Sequence, residues 1–369
     1  MSFTLNHETL PPELWLEIFA HLDERSYTTS YTPFQPLPGV GPEVDAKSAY
    51  TTVVLVCRNW HDWGISLLYR NLKIPTSDSS WTHSHPEYGR WVQRAILPSS
   101  STLPDSQTRL PIEMLGLCPN MEVLIRPQLS QSTFEFDPLY LQLPSLKRLE
   151  WWDGVNNSLL SVLSAAPNLE YLFLGVEVFQ PMNSIPDPTP EIHLPRLRTL
   201  RLRFGLSPSS RYLARAISKW SLPALDTLVV DGRMGLDEVW TSLGSRLRVV
   251  ELGKDTSWPH GCLALRELNY NLRDSSLMRR KGLAYPSATT IGCHVASPLL
   301  GDLERSFLPL RSWFPDLQRL RIYGPLAGVL ADERFQFPVK LQRVSNRGVY
   351  IVEIIDKNGL VVSTYRPES

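Results

Sequence analysis

The chain has 369 residues, with 37 Lys plus Arg against 37 Asp plus Glu and a formal net charge of zero. That balance argues against bulk electrostatic binding to nucleic acid or to an anionic membrane. Apolar residues make up 43% and charged residues 20%, enough for a sizeable core without staples, but 31 Pro against 20 Gly and about one Leu in six residues depart from average usage.

The first residues lack a basic start and an apolar core, so no secretory signal is expected. Apolar runs such as Val53 to Cys57 are too short to span a bilayer. Four scattered cysteines, Cys57, Cys118, Cys262 and Cys293, do not form a disulfide framework and fit buried thiols of an intracellular protein. Residues 1–9 read as a tail. From Leu10 to Leu22, apolar residues at 14, 15, 18, 19 and 22 trace one face of an amphipathic helix. Pro11 and Pro12 stand at its first turn, where a missing N–H is harmless, and Glu13 suits the helix dipole. A segment at about 24–48, rich in Pro, Ser, Thr and Tyr, reads as a loop. Helical spacing resumes at Ala49 and runs through Val53, Val56, Cys57, Trp60, Trp63 and Leu67 to Leu68. Residues 75–89 read as a polar linker.

From about residue 90 the chain repeats Pro-x-Leu-x-x-Leu-x-apolar, as in Pro144-Ser-Leu-Lys-Arg-Leu-Glu-Trp and Pro195-Arg-Leu-Arg-Thr-Leu-Arg-Leu. The first anchors are Met121, Leu146, Leu169, Leu197, Leu225, Leu247, Leu265, Ala288 and Leu317. Val92 to Leu97 resembles a degenerate earlier copy. Steps of roughly 18 to 29 residues with this Leu spacing are the signature of leucine-rich repeats. In Leu-x-x-Leu-x-Leu the last two anchors point to one face of a short strand. Parallel stacking then joins them into a buried column. Helical stretches are expected at 158–166, 211–220, 236–243 and 299–308, with Pro ending several of them. Residues 346–369 read as a β-hairpin cap, with Asp356-Lys-Asn-Gly as its turn.

Leu10-Pro11-x-Glu13-Leu14-x-x-x-Ile18-Phe19-x-x-Leu22, followed by Val53-x-x-Val56-Cys57-Arg58-x-Trp60, resembles an F-box. With Leu67-Leu68-Tyr69-Arg-Asn-Leu72 and the repeats behind it, the chain is similar to fungal F-box proteins with leucine-rich repeats. The resemblance implies a small all-α F-box over 10–74, then an α/β leucine-rich-repeat solenoid over 90–345. The solenoid would be an irregular horseshoe with parallel strands on its concave face. It also implies the substrate-recognition subunit of an SCF-type ubiquitin ligase, not an enzyme itself, in the cytoplasm and/or nucleus. Its partners would be a Skp-type adaptor, a cullin reached through that adaptor, and a protein substrate. Expected adaptor contacts are Leu10, Pro11, Glu13, Leu14, Ile18, Phe19, Leu22, Val53, Val56 and Trp60, with a core role equally open to Trp60. One departure stands out. In the family, Leu22 and Val56 stand about a dozen residues apart, and here the loop at 24–48 is inserted between them. An alternative function is a non-degradative interaction scaffold whose F-box this loop weakens.

No P-loop, nucleophile elbow or Gly-x-Gly-x-x-Gly occurs. His83-x-His85 and the set His260, Cys262, Cys293 and His294 lack zinc-site spacing, and adjacent Cys293 and His294 would point to opposite faces of a strand. No cofactor or metal is expected. The strand positions between the anchors would line the concave surface. Candidate substrate contacts there are Arg148, Trp152, Tyr171, Phe173, Arg201, Arg203, Arg319, Arg321 and Tyr323, as exposed aromatic anchors beside Arg. From Ile192 to Leu225 there are seven Lys or Arg and no Asp or Glu.

Overall fold

A proline-started turn is the local unit from which the fold is built. The anchor N–H donates to the carbonyl three residues back, as Leu146 does to Leu143, Leu197 to Leu194, Leu225 to Leu222 and Leu317 to Phe314. Pro144, Pro195, Pro223 and Pro315 therefore occupy the second position of a β-turn, where a fixed φ is pre-set and no N–H is required. The same geometry recurs at Pro119, Pro167 and Pro286. Turn side chains also tie one copy to the one before. Asn168 donates to the Pro144 carbonyl at 2.7 Å, Asn120 to that of Arg90 at 2.8 Å and Arg246 to that of Leu222 at 2.8 Å.

A computed structural model describes residues 11–20, 30–35, 51–74, 86–97, 114–127, 142–152, 154–176, 191–204, 209–232, 236–253, 256, 259–271, 285–295, 310–324, 337–356 and 359–368. The chain divides into two compact units: residues 1–29 with 36–169, and residues 30–35 with 170–369. The division falls inside the repeats, where composition offers no boundary.

In the first unit, α1 (Pro12–Ala20) and α2 (Arg58–Leu68) precede four strands: β1 (Asn71–Lys73), β2 (Arg94–Ile96), β3 (Val123–Arg126) and β4 (Arg148–Trp151). All three pairings are parallel. Leu72, Ala95, Leu124 and Leu149 align in one buried row. Arg126, on the same side as Leu124, is buried with its guanidinium 4.7 Å from the centre of the Trp151 ring. The strands start at Asn71, inside the segment expected to be all helix, and a 3₁₀ turn, Pro86–Trp91, ends the expected linker. The continuous helix expected from Ala49 to Leu68 is broken. Residues 51–54 are helical, 55–56 turn, and Cys57 is extended as the N-cap of α2. The run Val53-Val54-Leu55-Val56 has two adjacent β-branched side chains and a third at its end, which favour helix weakly. Helix α3 (Asn157–Ala165) starts where the Asn156 side chain accepts the Leu159 N–H at 2.8 Å. Asn156→Ala should lower stability by about 1 kcal/mol, read from the denaturant midpoint.

The second unit carries β5 (Tyr171–Val176), β6 (Thr199–Phe204), α4 (Ser209–Ser218), β7 (Thr227–Asp231), α5 (Asp237–Leu243), β8 (Val249–Leu252), β9 (Glu267–Asn271), β10 (Thr290–His294), α6 (Leu310–Trp313), β11 (Arg319–Tyr323), α7 (Phe337–Gly348), β12 (Ile351–Ile355) and β13 (Val361–Tyr365). Strands β5 to β12 pair in parallel in chain order, and β13 closes an antiparallel hairpin with β12. Leu172, Leu200, Leu228, Val250, Leu268, Ile291, Leu320 and Val352 stand in register and are all fully buried. A second buried row runs two residues further on, from Leu174 to Ile354. Alternation within each strand sends every other side chain to this core and the rest to a second, more polar face. Helices α4 and α5 bury Leu213, Ile217, Val239 and Trp240.

Helices expected at 158–166, 211–220 and 236–243 appear at Asn157–Ala165, Ser209–Ser218 and Asp237–Leu243. The stretch expected at 299–308 lies outside the described residues. The hairpin at the end is present, with Gly359 at φ +81° and the Leu360 N–H bound to the Asp356 side chain at 2.8 Å. Helix α7, which crosses the expected 345/346 boundary, has no counterpart in the sequence reading. Among the described residues no helix is long and apolar enough to cross a membrane.

Candidate functional site

Two surfaces carry the residues singled out from the sequence. The first is the helical end of the first unit. The Trp60 ring lies 4.8 Å from Trp15 and 5.0 Å from Phe19 between centres, so the indole fills the small core between α1 and α2. Phe19 and Val53 are buried and Trp60 is half-buried beside Phe19. Leu14, Ile18, Leu55 and Val56 are 44%, 46%, 76% and 56% exposed. Pro11 and Glu13 are exposed as well. Leu10 and Leu22 lie outside the described residues. Leu14 and Ile18 stand one turn apart on one face of α1, and Leu55 and Val56 are neighbours in the turn before α2, so both stretches present apolar side chains to solvent.

The second surface is the polar face of the second unit. Register places Phe173, Arg201, Val229, Glu251, Asn269, Gly292, Arg321 and Glu353 in one row across eight strands. The expected exposure of the aromatic candidates is not what the structure has. Phe173 is 0% exposed, and Tyr171, Tyr323 and, in the first unit, Trp152 are buried too, because neighbouring large side chains on a parallel sheet cover one another. The arginines have carboxylates within the face. Arg201 Nη2 lies 3.1 Å from Asp231 Oδ2, Arg321 pairs with Glu353 at 3.1 Å and Glu267 at 3.6 Å, and Arg319 pairs with Glu353 at 3.3 Å. In the first unit, Arg148 pairs with Glu150 at 2.7 Å. Arg203 is part-buried on β6. The acid-free stretch from 192 to 225 is thus matched by acids further along the chain, including Glu238 against Arg215 at 3.5 Å.

Glu251 was not expected here, nor were its partners. Its Oε2 accepts the Tyr31 hydroxyl at 2.7 Å and the Phe34 N–H at 2.8 Å. The Asn269 amide donates to the Tyr31 oxygen at 2.8 Å and to Glu267 at 2.8 Å. Arg201 Nη2 also donates to the Gln35 carbonyl at 3.0 Å. The Phe34 ring lies 5.2 Å from His294 and 5.1 Å from Tyr323 between centres. Gly292 leaves room in this row: a Cβ there would collide with the Asn269 side chain. Contacts at a separation of 220 residues leave no trace in periodicity. The one available signal was composition, three aromatics, Tyr27, Tyr31 and Phe34, in a loop rich in Pro, Ser and Thr.

Burial pushes the Glu251 carboxyl up from 4.5 to about 7, against the hydrogen bonds from Phe34 and Tyr31 and the charge of Arg201, with Asp231 adding to the rise. The folded chain therefore holds a proton that the unfolded chain releases between those values. Stability contributed by this group falls as pH rises through the window. Glu251→Gln should remove that loss, a relative gain of up to about 3 kcal/mol at pH 8 and little at pH 4. Melting curves of both proteins across pH check it, and parallel curves would refute it.

Cys293 is buried while adjacent His294 meets Phe34 on the opposite side of β10. Among the described residues no cluster of three His, Cys, Asp or Glu could hold a metal ion. His83 and His85 lie outside them. Compared with known proteins, the chain matches no family model, and no curated protein sequence matches it.

Proposed function

We propose that the chain is the substrate-recognition subunit of an SCF-type ubiquitin ligase, an F-box docking a Skp-type adaptor and leucine-rich repeats binding a protein substrate. On this reading α1, the short helical stretch and turn at 51–56 and α2 are the F-box, the strand array is an irregular horseshoe, and the polar face is its concave surface. One observation carries it: Leu14, Ile18, Leu55 and Val56 face solvent beside a filled aromatic core, in the segment whose motif resembles an F-box. Burying such side chains against a partner supplies the driving force that their own module leaves unused. The chain performs no chemistry itself. It holds the substrate near a ligase assembled elsewhere.

A second reading, a non-degradative scaffold, is favoured by the insertion, because residues 30–35 belong to the second unit rather than to the helical module that brackets them. Co-purification of the intact chain with a Skp-type adaptor and a cullin separates the two. Capture of both supports the ligase subunit, and partner binding without them supports the scaffold.

A further inference from the structure

Residues 30–35, Ser-Tyr-Thr-Pro-Phe-Gln, pack as part of the second unit. The chain turns at Pro33–Phe34 over the middle of the sheet, and its groups fan out from there: the Tyr31 hydroxyl and the Phe34 N–H to Glu251 on β8, Tyr31 also to Asn269 on β9, the Phe34 ring to His294 on β10 and Tyr323 on β11, and the Gln35 carbonyl back to Arg201 on β6. The contacts on β6 and β11 come from the neighbouring residues Gln35 and Phe34, so long side chains, Arg201 from one side and the Phe34 and Tyr323 rings from the other, bridge the strands between. Phe34 has φ +57°, a conformation that a non-glycine residue holds only when its surroundings fix it. The contacts combine main-chain groups, one tyrosine hydroxyl and one aromatic ring. That is how a peptide is held by a receptor, with backbone bonds for affinity and side-chain seats for choice.

We propose that the polar face of the second unit is a receptor for a short turned peptide, that residues 30–35 are its built-in occupant, and that a protein partner binds by offering the same chemistry in trans. The partner segment carries a tyrosine whose hydroxyl reaches Glu251 and Asn269, and an aromatic residue three positions later that seats against His294 and Tyr323. This rests on the reading of the polar face as the substrate surface and is independent of adaptor docking. The tethered segment competes at an effective concentration set by its linkers, of millimolar order for short ones. A free peptide therefore binds the closed chain more weakly, in proportion to the fraction that is open. The tyrosine must be unmodified, because a phosphate would set about two negative charges against Glu251 and Glu267.

The probe is a fluorescent synthetic peptide of residues 28–37, titrated by anisotropy into the full chain. Tyr31→Ala/Phe34→Ala, which empties the face, should bind it at least tenfold more tightly than wild type. Adding Glu251→Ala should remove that gain, and the phosphotyrosine peptide should not bind. Equal affinity for wild type and the emptied variant overturns the proposal. So does tight binding of the phosphorylated peptide, or no binding by the emptied variant. A chain with residues 30–35 replaced by a Gly-Ser run of equal length gives the same readout if the double variant aggregates. Adaptor capture is scored on the same samples. Capture without peptide binding overturns this proposal alone, and peptide binding without capture overturns the ligase reading alone.

Discussion

Leu14→Asp/Ile18→Asp should lose adaptor capture by roughly a hundredfold, about 3 kcal/mol, while the chain melts as wild type does. The size follows from the physics of interface anchors, where a few buried side chains carry most of the energy and a charge placed on one must be desolvated unpaired. The unchanged melting follows from exposure: both side chains stand nearly half in water, so aspartate meets water in the free chain. Phe19→Ala is the contrast. It empties the ring stack with Trp15 and Trp60 and should cost about 3–5 kcal/mol of stability. Pull-down with purified adaptor and a thermal melt read both. Full capture by the aspartate variant removes the docking surface from α1.

The repeat was legible because its physics is local. Pro at a turn, Leu three residues into it and Leu again on the strand fall within one short window, so Met121, Leu146, Leu169, Leu197 and their successors stand out by spacing alone. Each is buried where the turn meets the sheet. Helices between strands were legible for the same reason. The break at 55–57 was not, because a run of apolar residues fits helical and irregular backbone alike. Helix α7 was missed since its apolar face, Leu341 and Val344, is short and its remainder is polar.

The candidate site divides along the same line. Alternation sends Phe173, Arg201 and Arg321 to one face, and register stands them in one row with Glu251, which the sequence reading had left out. Their exposure was not legible. Whether Phe173 or Arg201 meets water depends on which side chains and which distant segment cover it, and a stretch such as 30–35 can reach any strand. The zero net charge behaves alike. It hides an acid-free stretch whose Arg201 finds Asp231 on the next strand, so local asymmetry was cancelled by stacking rather than left for a ligand.

Leu228→Ala should destabilise the second unit by about 2–5 kcal/mol, as expected for a leucine that leaves a cavity in a packed row. Leu228 is fully buried on β7, flanked in register by Leu200 and Val250, so two neighbours lose contact at once. In a unit of about 200 residues that loss lowers the melting midpoint by roughly 5–15 °C. In a stacked array stability is a sum of repeat and nearest-neighbour terms, so a defect in the middle uncouples the two sides. A second denaturant transition should therefore appear in the variant, read by tryptophan fluorescence and circular dichroism together. Val361→Ala on β13, a strand at the edge with its side chain 53% exposed, should change stability by less than about 0.5 kcal/mol. A single transition shifted equally by both substitutions would show that the strands unfold as one cooperative body and that position along the row is irrelevant.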